Sequence, residues 1–168
     1  MLILDVDGVL TDGCLLYGSG GTELKAFHVQ DGFGLRAAQR MGLIPAIITG
    51  RDSDVVSRRA QELGIVEVHQ GAIDKVRVYC DLLARHGLQD EMVAFMGDDL
   101  VDLPILGRVG LSLAPASAHP EVKARVDYVS QKGGGQGAVR EVVELILKAQ
   151  GRWEAIIERY LAVEKLKP

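Results

Sequence analysis

Two cysteines, Cys14 and Cys80, are all that the 168 residues contain. They lie far apart and lack metal-ligand spacing, so the expectation is two reduced thiols in a cytoplasmic protein. His69, His86 and His119 share no metal spacing either and are read as structural. Excess positive charge is also missing. Nineteen Lys and Arg stand against 23 Asp and Glu, a net charge of −4, which gives no reason to expect nucleic acid or an anionic membrane as a partner. No apolar stretch approaches the roughly 20 residues of a membrane span. Asp5 and Asp7 interrupt the only apolar run near the start, so no signal peptide is expected there. Internal repeats, low-complexity linkers and a second domain are absent as well, so residues 1–168 are expected to form a single domain with a proper core.

Glycine, by contrast, is plentiful, with 20 residues where average usage predicts about 12. Much of it falls in short connections, as in a fold with many tight loops. Between these connections, apolar strand-like runs alternate with helical patterns. Strands are expected at 2–4, 43–49, 65–69, 92–96 and 109–113, with a further short one at 127–130. Helices are expected at 32–41, 53–63 (capped by Asp52 or Ser53), 73–86, 118–125 and 138–149. Two short runs, Cys14–Tyr17 and Glu23–Phe27, flank Gly18–Thr22 and read as a hairpin. Trp153, Ile156, Ile157, Tyr160 and Leu161 recur at helical spacing, a stripe suited to packing or subunit contact. The fold class is therefore α/β, a doubly wound, mostly parallel sheet covered on both faces.

Three of the expected strands end in polar signatures: Asp5 and Asp7 after the first, Thr49-Gly50 after the second, Gly97-Asp98-Asp99 after the fourth. Parallel strands put their carboxyl ends on one edge, where ligands of open α/β sheets bind, and Lys75 begins the helix after the third strand on the same edge. Clustered carboxylates repel, and a cation or a proton must relieve them. Oxygen-only ligands suit a hard divalent ion, with Mg²⁺ shared with a substrate phosphate as the usual solution. An ionised Asp can attack phosphorus, and a carboxyl two residues on can protonate the leaving alkoxide. The Thr49 hydroxyl, the Lys75 ammonium and backbone N–H groups would then hold the phosphoryl oxygens.

Asp5-Val6-Asp7-Gly8-Val9-Leu10-Thr11-Asp12, Thr49-Gly50-Arg51, Lys75 and Gly97-Asp98-Asp99-Leu100-Val101-Asp102 resemble the four signatures of the haloacid-dehalogenase superfamily, in its order. The resemblance implies that Asp5 is the nucleophile and Asp7 the acid–base that marks the phosphatases. It also implies that Mg²⁺ is held by the Asp5 carboxylate, the Asp7 main-chain carbonyl and Asp98. With Asp31-Gly32, the segment 23–27 and the stretch 137–142, nearly the whole chain is similar to the 3-deoxy-D-manno-octulosonate 8-phosphate phosphatases. That likeness implies a hairpin, about 14–28, in place of a cap domain, and a C-terminal helical tail, about 151–168. It further implies a homo-oligomer, a tetramer, in which a neighbour helps close each pocket, and a role in lipopolysaccharide core synthesis. The implied substrate contacts are His28, Val29, Gln30, Asp31, Gly32, Arg36, Gly50, Arg51 and Arg59. Arg51 stands where phosphatases of nine-carbon sialic-type 9-phosphates tend to carry an acid, which favours the eight-carbon sugar acid.

Two readings of other classes compete. A phosphoacceptor receiver domain also gathers acids, Thr and Lys on a doubly wound sheet, but places its paired acids first and its acceptor on the third strand. A non-catalytic phosphatase-like oligomerisation module commonly loses its carboxylates, whereas Asp5, Asp7 and Asp98 are all present.

Overall fold

The structure is a computed structural model, which describes residues 1–164. β1 (Leu2–Leu4) leads into a small strand pair, β2 (Leu16–Tyr17) and β3 (Glu23–Leu24). Then follow α1 (Val29–Arg40), β4 (Pro45–Ile48), α2 (Asp54–Leu63), β5 (Glu67–His69) and α3 (Lys75–His86). The second half runs β6 (Ala94–Met96), α4 (Leu103–Leu106), β7 (Leu111–Ala114), α5 (Pro120–Lys123), β8 (Tyr128–Val129), α6 (Ala138–Ala149) and α7 (Trp153–Glu164). Six strands pair in parallel in the order β5-β4-β1-β6-β7-β8. Numbered along the chain among themselves, these strands run 3-2-1-4-5-6, the doubly wound order whose ligand crevice opens at the strands' carboxyl ends near the switch point. A receiver sheet runs 2-1-3-4-5, so the topology excludes that alternative.

Both faces of the sheet are covered, which explains why its central strands read as unbroken apolar runs. Leu2 and Leu4 of β1 join Leu35 and Ala38 of α1, Val56 and Ala60 of α2, and Val139, Val142 and Val143 of α6 in one core. Ile3, one residue out of phase, points the other way among Tyr79 and Leu82 of α3, Ile105 of α4 and Val122 of α5. Alternation along β6 is the same, with Ala94 and Met96 in the first core and Phe95 in the second. Each fully buried Leu, Ile or Phe contributes roughly 1.5–3 kcal/mol.

Several elements are shorter than expected. Leu43, Val93 and Val109 are apolar and pack against the cores, yet they precede the ladders of β4, β6 and β7. Hydrophobicity places these residues inside without pairing their backbones. α1 starts at Val29 rather than Gly32, because its glycines are packing positions. A Cβ on Gly32 would sit 2.5 Å from the Arg59 guanidinium, and one on Gly34 would sit 3.1 Å from Arg140 of α6. The hairpin is also smaller, with only Leu16–Leu24 and Tyr17–Glu23 paired. Ser53 occupies the cap position of α2 without capping it, since its hydroxyl instead donates to Glu23 Oε2 on the hairpin at 2.5 Å. In the last helix Trp153 and Ile156 pack inward while Ile157, Tyr160 and Leu161 are exposed. The expected tail extends to 168, and residues 165–168 lie outside the described residues.

Candidate active site

Asp5 immediately follows β1 at the centre of the sheet. Its N–H donates to Met96 O at 3.0 Å, which extends the β1–β6 ladder by one residue. Asp5 Oδ1 accepts from the Val6 N–H at 2.7 Å and Oδ2 from Lys75 Nζ at 2.8 Å. Lys75, the first residue of α3, also donates to Asp102 Oδ1 at 2.7 Å. Asp102 is fully buried, and its Oδ2 accepts from the backbone N–H groups of Asp98 and Asp99 at 3.0 and 3.3 Å. Asp102 therefore folds the loop after β6 back on itself, as a capping box, and holds Asp98 beside Asp5. Gly97 permits that turn, since a Cβ there would lie 2.5 Å from the Asp102 side chain. Gly8 permits the approach of Asp98: it has φ +89°, and a Cβ would fall 2.0 Å from Asp98 Oδ2. Gly134 closes the loop from the other side, where a Cβ would meet Gly8 O at 1.8 Å. The Gly133–Gly137 loop is thus a flat packing surface for the acidic turn.

Charge in this cluster is unbalanced. One oxygen each from Asp5, Asp98 and Asp102 falls within 4.8 Å of the others, against a single ammonium. Burial, then repulsion from Asp102, raises the Asp5 pKa despite Lys75. Burial, then the charges of Asp5, Asp102 and Asp99, pushes Asp98 up to about 7. Burial disfavours the Lys75 ammonium, but Asp5 and Asp102 outweigh it and raise its pKa. A hard divalent cation fits this donor set, because it would relieve the repulsion that Lys75 alone leaves. Asp102 is fully buried with both oxygens tied into the loop, whereas the Asp98 carboxylate accepts no hydrogen bond among the described residues and is able to turn toward a cation beside Asp5.

Thr49 and Gly50 follow β4 on the same edge. Thr49 is buried, its main chain bonds His69 and Ala72, and among the described residues its hydroxyl has no partner. Arg51 is half exposed. Its Nη2 donates to Tyr17 OH at 2.8 Å, and its Nε lies 3.6 Å from Asp7 Oδ2. The other Asp7 oxygen, Oδ1, accepts from Lys25 Nζ at 2.5 Å. The hairpin therefore rests directly on this edge.

A model of the haloacid dehalogenase-like hydrolases matches residues 48–142. A 3-deoxy-D-manno-octulosonate 8-phosphate phosphatase of Salmonella typhi is 51% identical over 152 residues, 90% of this chain and 81% of that protein. The chain belongs to the haloacid dehalogenase-like hydrolases, in the 3-deoxy-D-manno-octulosonate 8-phosphate phosphatase family. The Yersinia pestis phosphatase of that name has a crystal structure that aligns at a TM-score of 0.90 with 49% identity, covering 91% of this chain and 83% of that one. The Moraxella catarrhalis phosphatase, solved in complex with a magnesium ion, a phosphate ion and a KDO molecule, aligns at 0.92 with 46% identity, covering 95% and 91%.

The remaining residues carried over from the family lie on or beside α1 and α2 of this hydrolase. His28 occupies the cap position of α1 without a side-chain capping bond, and its Nδ1 is buried without a partner among the described residues. Val29 and Gln30 are exposed, and His28, Gln30, Gln136, Gly137 and Arg140 help line a cavity of about 520 Å³. Asp31 is 1% exposed and its Oδ1 accepts from the Arg140 N–H at 2.7 Å. It stands at the start of α6, where a carboxylate satisfies free backbone donors, and its Oδ2 is buried without a partner among the described residues. Arg59 lies over the Phe27 ring at 5.7 Å and pairs with Glu62 at 3.3 Å. Arg36 donates to the carbonyl of Glu62 near the C-terminal ends of α1 and α2, toward the amino edge of the sheet. The structure therefore brings together Asp5, Asp7, Thr49, Gly50, Arg51, Lys75 and Asp98, whereas His28 to Gly32, Arg36 and Arg59 share no hydrogen bond or ion pair with them among the described residues. Asp102 and Lys25 are the functional-site residues that sequence reasoning missed. Asp102 was signalled by its place in the 97–102 signature, three residues after Asp99, the spacing of a capping box; Lys25 stood in the family-like segment 23–27, with nothing in the pattern to join it to Asp7.

Proposed function

We propose that the chain is a Mg²⁺-dependent phosphomonoesterase. It hydrolyses 3-deoxy-D-manno-octulosonate 8-phosphate to the free sugar acid and phosphate through an aspartyl-phosphate on Asp5. The observation that carries this reading is the Asp5–Lys75–Asp102 arrangement, with Asp98 and Asp7 beside it, in a chain half identical to phosphatases of that substrate. Asp5 attacks phosphorus, and Asp7 gives its proton to the leaving alkoxide, then takes one from the water that cleaves the aspartyl-phosphate. Lys75 keeps Asp5 aimed and, with the free Thr49 hydroxyl, stabilises phosphoryl oxygens as charge shifts onto them. Asp5, Asp98 and the Asp7 main-chain carbonyl would hold Mg²⁺, which supplies charge neutralisation between nucleophile and phosphate.

Asp98 links this reading to pH. The folded chain retains its Asp98 proton up to about pH 7, against 3.8 for the ordinary side chain. Folded protein thus binds more protons across that window, and metal-free stability falls as pH rises through it. Because Asp98 is partly open to solvent, about 1–2 kcal/mol is expected, roughly 2–8 °C in melting temperature. Mg²⁺ needs the ionised form, so its stabilising effect grows over the same pH range. Asp98→Asn should flatten the metal-free profile and abolish the Mg²⁺-dependent shift. Differential scanning fluorimetry from pH 4.5 to 8.5 reads both, and a Mg²⁺ shift that survives in the variant would remove Asp98 from the metal site.

Arg51 supports an anionic sugar as substrate, since it is half exposed at the edge of the site and its planar fork suits a carboxylate. Arg51→Ala is expected to lower kcat/KM on a sugar-acid phosphate by about 10²-fold, the effect of losing a charged hydrogen bond of roughly 1.5–3 kcal/mol. On p-nitrophenyl phosphate the loss should stay within a few-fold. Equal losses would assign Arg51 to the phosphate or to the hairpin.

The working form is proposed to be a homotetramer. Leu15, Leu16, Tyr17 and Leu24 expose apolar surface on the hairpin, and Val29 is 81% exposed beside it. The flank with His28, Arg36 and Arg59 would then serve a neighbour's pocket and exclude water from it. Among the described residues no helix is long and apolar enough to cross a membrane; a cytoplasmic role in lipopolysaccharide core synthesis accords with the proposed substrate. A phosphate-release screen over the eight- and nine-carbon sugar-acid phosphates, with and without Mg²⁺ and paired with sedimentation analysis, tests the substrate and the assembly together.

A further inference from the structure

Lys25 is the residue on the hairpin with a direct hold on the chemistry. Its side chain is 1% exposed, and the closest partner of its Nζ is Asp7 Oδ1 at 2.5 Å. A second carboxylate, Glu23 Oε1, lies 3.4 Å away. Glu23 is itself tied to the body of the protein through Ser53 Oγ at 2.5 Å, at the start of α2. Asp7 Oδ2 faces Arg51 Nε at 3.6 Å, and Arg51 is held in turn by Tyr17 OH at 2.8 Å. Both oxygens of the Asp7 carboxylate thus face cations, and the hairpin supplies or orients each of those cations. No other part of the acidic turn fixes this side chain: Asp5 and Asp98 are placed by β1, α3 and the loop after β6, whereas Asp7 projects from the turn toward the hairpin.

We propose that Lys25 is a positioning residue for Asp7, so that the hairpin orients the acid–base group within its own subunit in addition to any contact between subunits. This rests on the reading of Asp7 as the group that protonates the leaving alkoxide. In that step the P–O bond breaks, its electron pair goes to the sugar oxygen, and the Asp7 proton follows. A carboxyl that transfers a proton must sit within about 2.6–3.2 Å of its partner oxygen. The leaving oxygen must therefore arrive close to the Lys25 ammonium. The Glu23–Lys25–Asp7 chain allows a surface hairpin to set the rotamer of a side chain in the reaction centre, and it is closed off from water at Lys25.

Leaving-group dependence separates this role from a merely structural one. A poor leaving group such as a sugar alkoxide needs the proton, whereas p-nitrophenolate departs without it. Lys25→Met, and Lys25→Gln as a second variant that keeps a polar head, are assayed with a series of aryl and alkyl phosphates, alongside Asp7→Asn. Melting temperature and its Mg²⁺ shift are recorded for each, and rates are read on the variant that melts like the parent. The expected result is a drop in kcat of about 10²-fold on the sugar phosphate, the low end for acid–base help. On p-nitrophenyl phosphate the expected change is under about threefold, with KM little changed, so that the dependence on leaving-group pKa steepens toward that of Asp7→Asn. A uniform loss across the series, a change confined to KM, or failure of both variants to fold would overturn the positioning role. If Asp7→Asn itself shows no steepening, the acid role of Asp7 fails, whatever the Lys25 variants do.

Discussion

Asp5→Asn is expected to abolish Mg²⁺-dependent phosphate release, by about 10⁴–10⁶-fold as for other lost nucleophiles, while the protein stays folded. The physical case is that an amide nitrogen cannot attack phosphorus as the carboxylate does, and so no aspartyl-phosphate can form. Fold stability is governed by different terms. Asp5 accepts from the Val6 N–H and from Lys75 Nζ, and Asn can accept only one of those; the other meets an NH₂ group. Such a mismatch costs about 1–3 kcal/mol. Against it, the substitution removes a buried charge whose pKa is raised by burial and by Asp102. The two effects oppose, so the melting temperature should stay within a few degrees of the parent. Phosphate release, a thermal melt and sedimentation on the same preparation read all three expectations. Activity surviving above 1% of the parent (a hundredfold loss, about 2.7 kcal/mol) would sink the assignment of the nucleophile.

The parts of this architecture that depend on local pattern were legible in the sequence. An apolar run ending in Asp5 and Asp7 is dictated by a strand buried on both faces, with Leu2 and Leu4 on one side and Ile3 on the other. The polar signatures after the strands converge because the ladders are parallel, a consequence of helices joining consecutive strands. What stayed hidden depends on side chains meeting across distance in sequence. Lys75 and Asp102 are 27 positions apart, and Lys25 and Asp7 are 18 apart; nothing in periodicity joins them. Motif matching has a related blind spot, since it transfers residue identities without their positions. Asp31 stands in a stretch that resembles substrate contacts, and that likeness does not show that its Oδ1 also accepts from the start of α6, 109 positions away. Arg36 lies a turn after that stretch, and helical geometry carries it down α1 toward the amino edge of the sheet. Strand ends are hard to place for a simpler reason, because hydrophobic residues such as Val93 are already buried before the ladder begins.

Lys75→Met is expected to show that the ammonium is structural and chemical at once. Lys75 is 7% exposed and bridges Asp5 Oδ2 and Asp102 Oδ1 at 2.8 and 2.7 Å. Methionine matches its length and apolar stem but leaves Asp5, Asp98 and Asp102 facing one another with no cation. Breaking a buried ion pair from one side costs about 3–5 kcal/mol, which predicts a melting temperature lower by roughly 6–20 °C at pH 8 in the absence of metal. The deficit should shrink as pH falls. Without the ammonium, the Asp5 and Asp98 pKa values rise further above their unfolded values, so the folded variant takes up more protons than the unfolded chain and gains stability on acidification. Mg²⁺ should recover part of the stability, since it offsets the same repulsion, but not turnover, which needs Lys75 to aim Asp5 and hold a phosphoryl oxygen. Lys75→Met combined with Asp102→Asn removes both members of one pair and should melt higher than the single variant while remaining as inactive. A single variant that melts like the parent at pH 8 would mean that the Asp5–Asp102 repulsion is carried by water or protons rather than by Lys75, and would leave only the phosphoryl contact as its role.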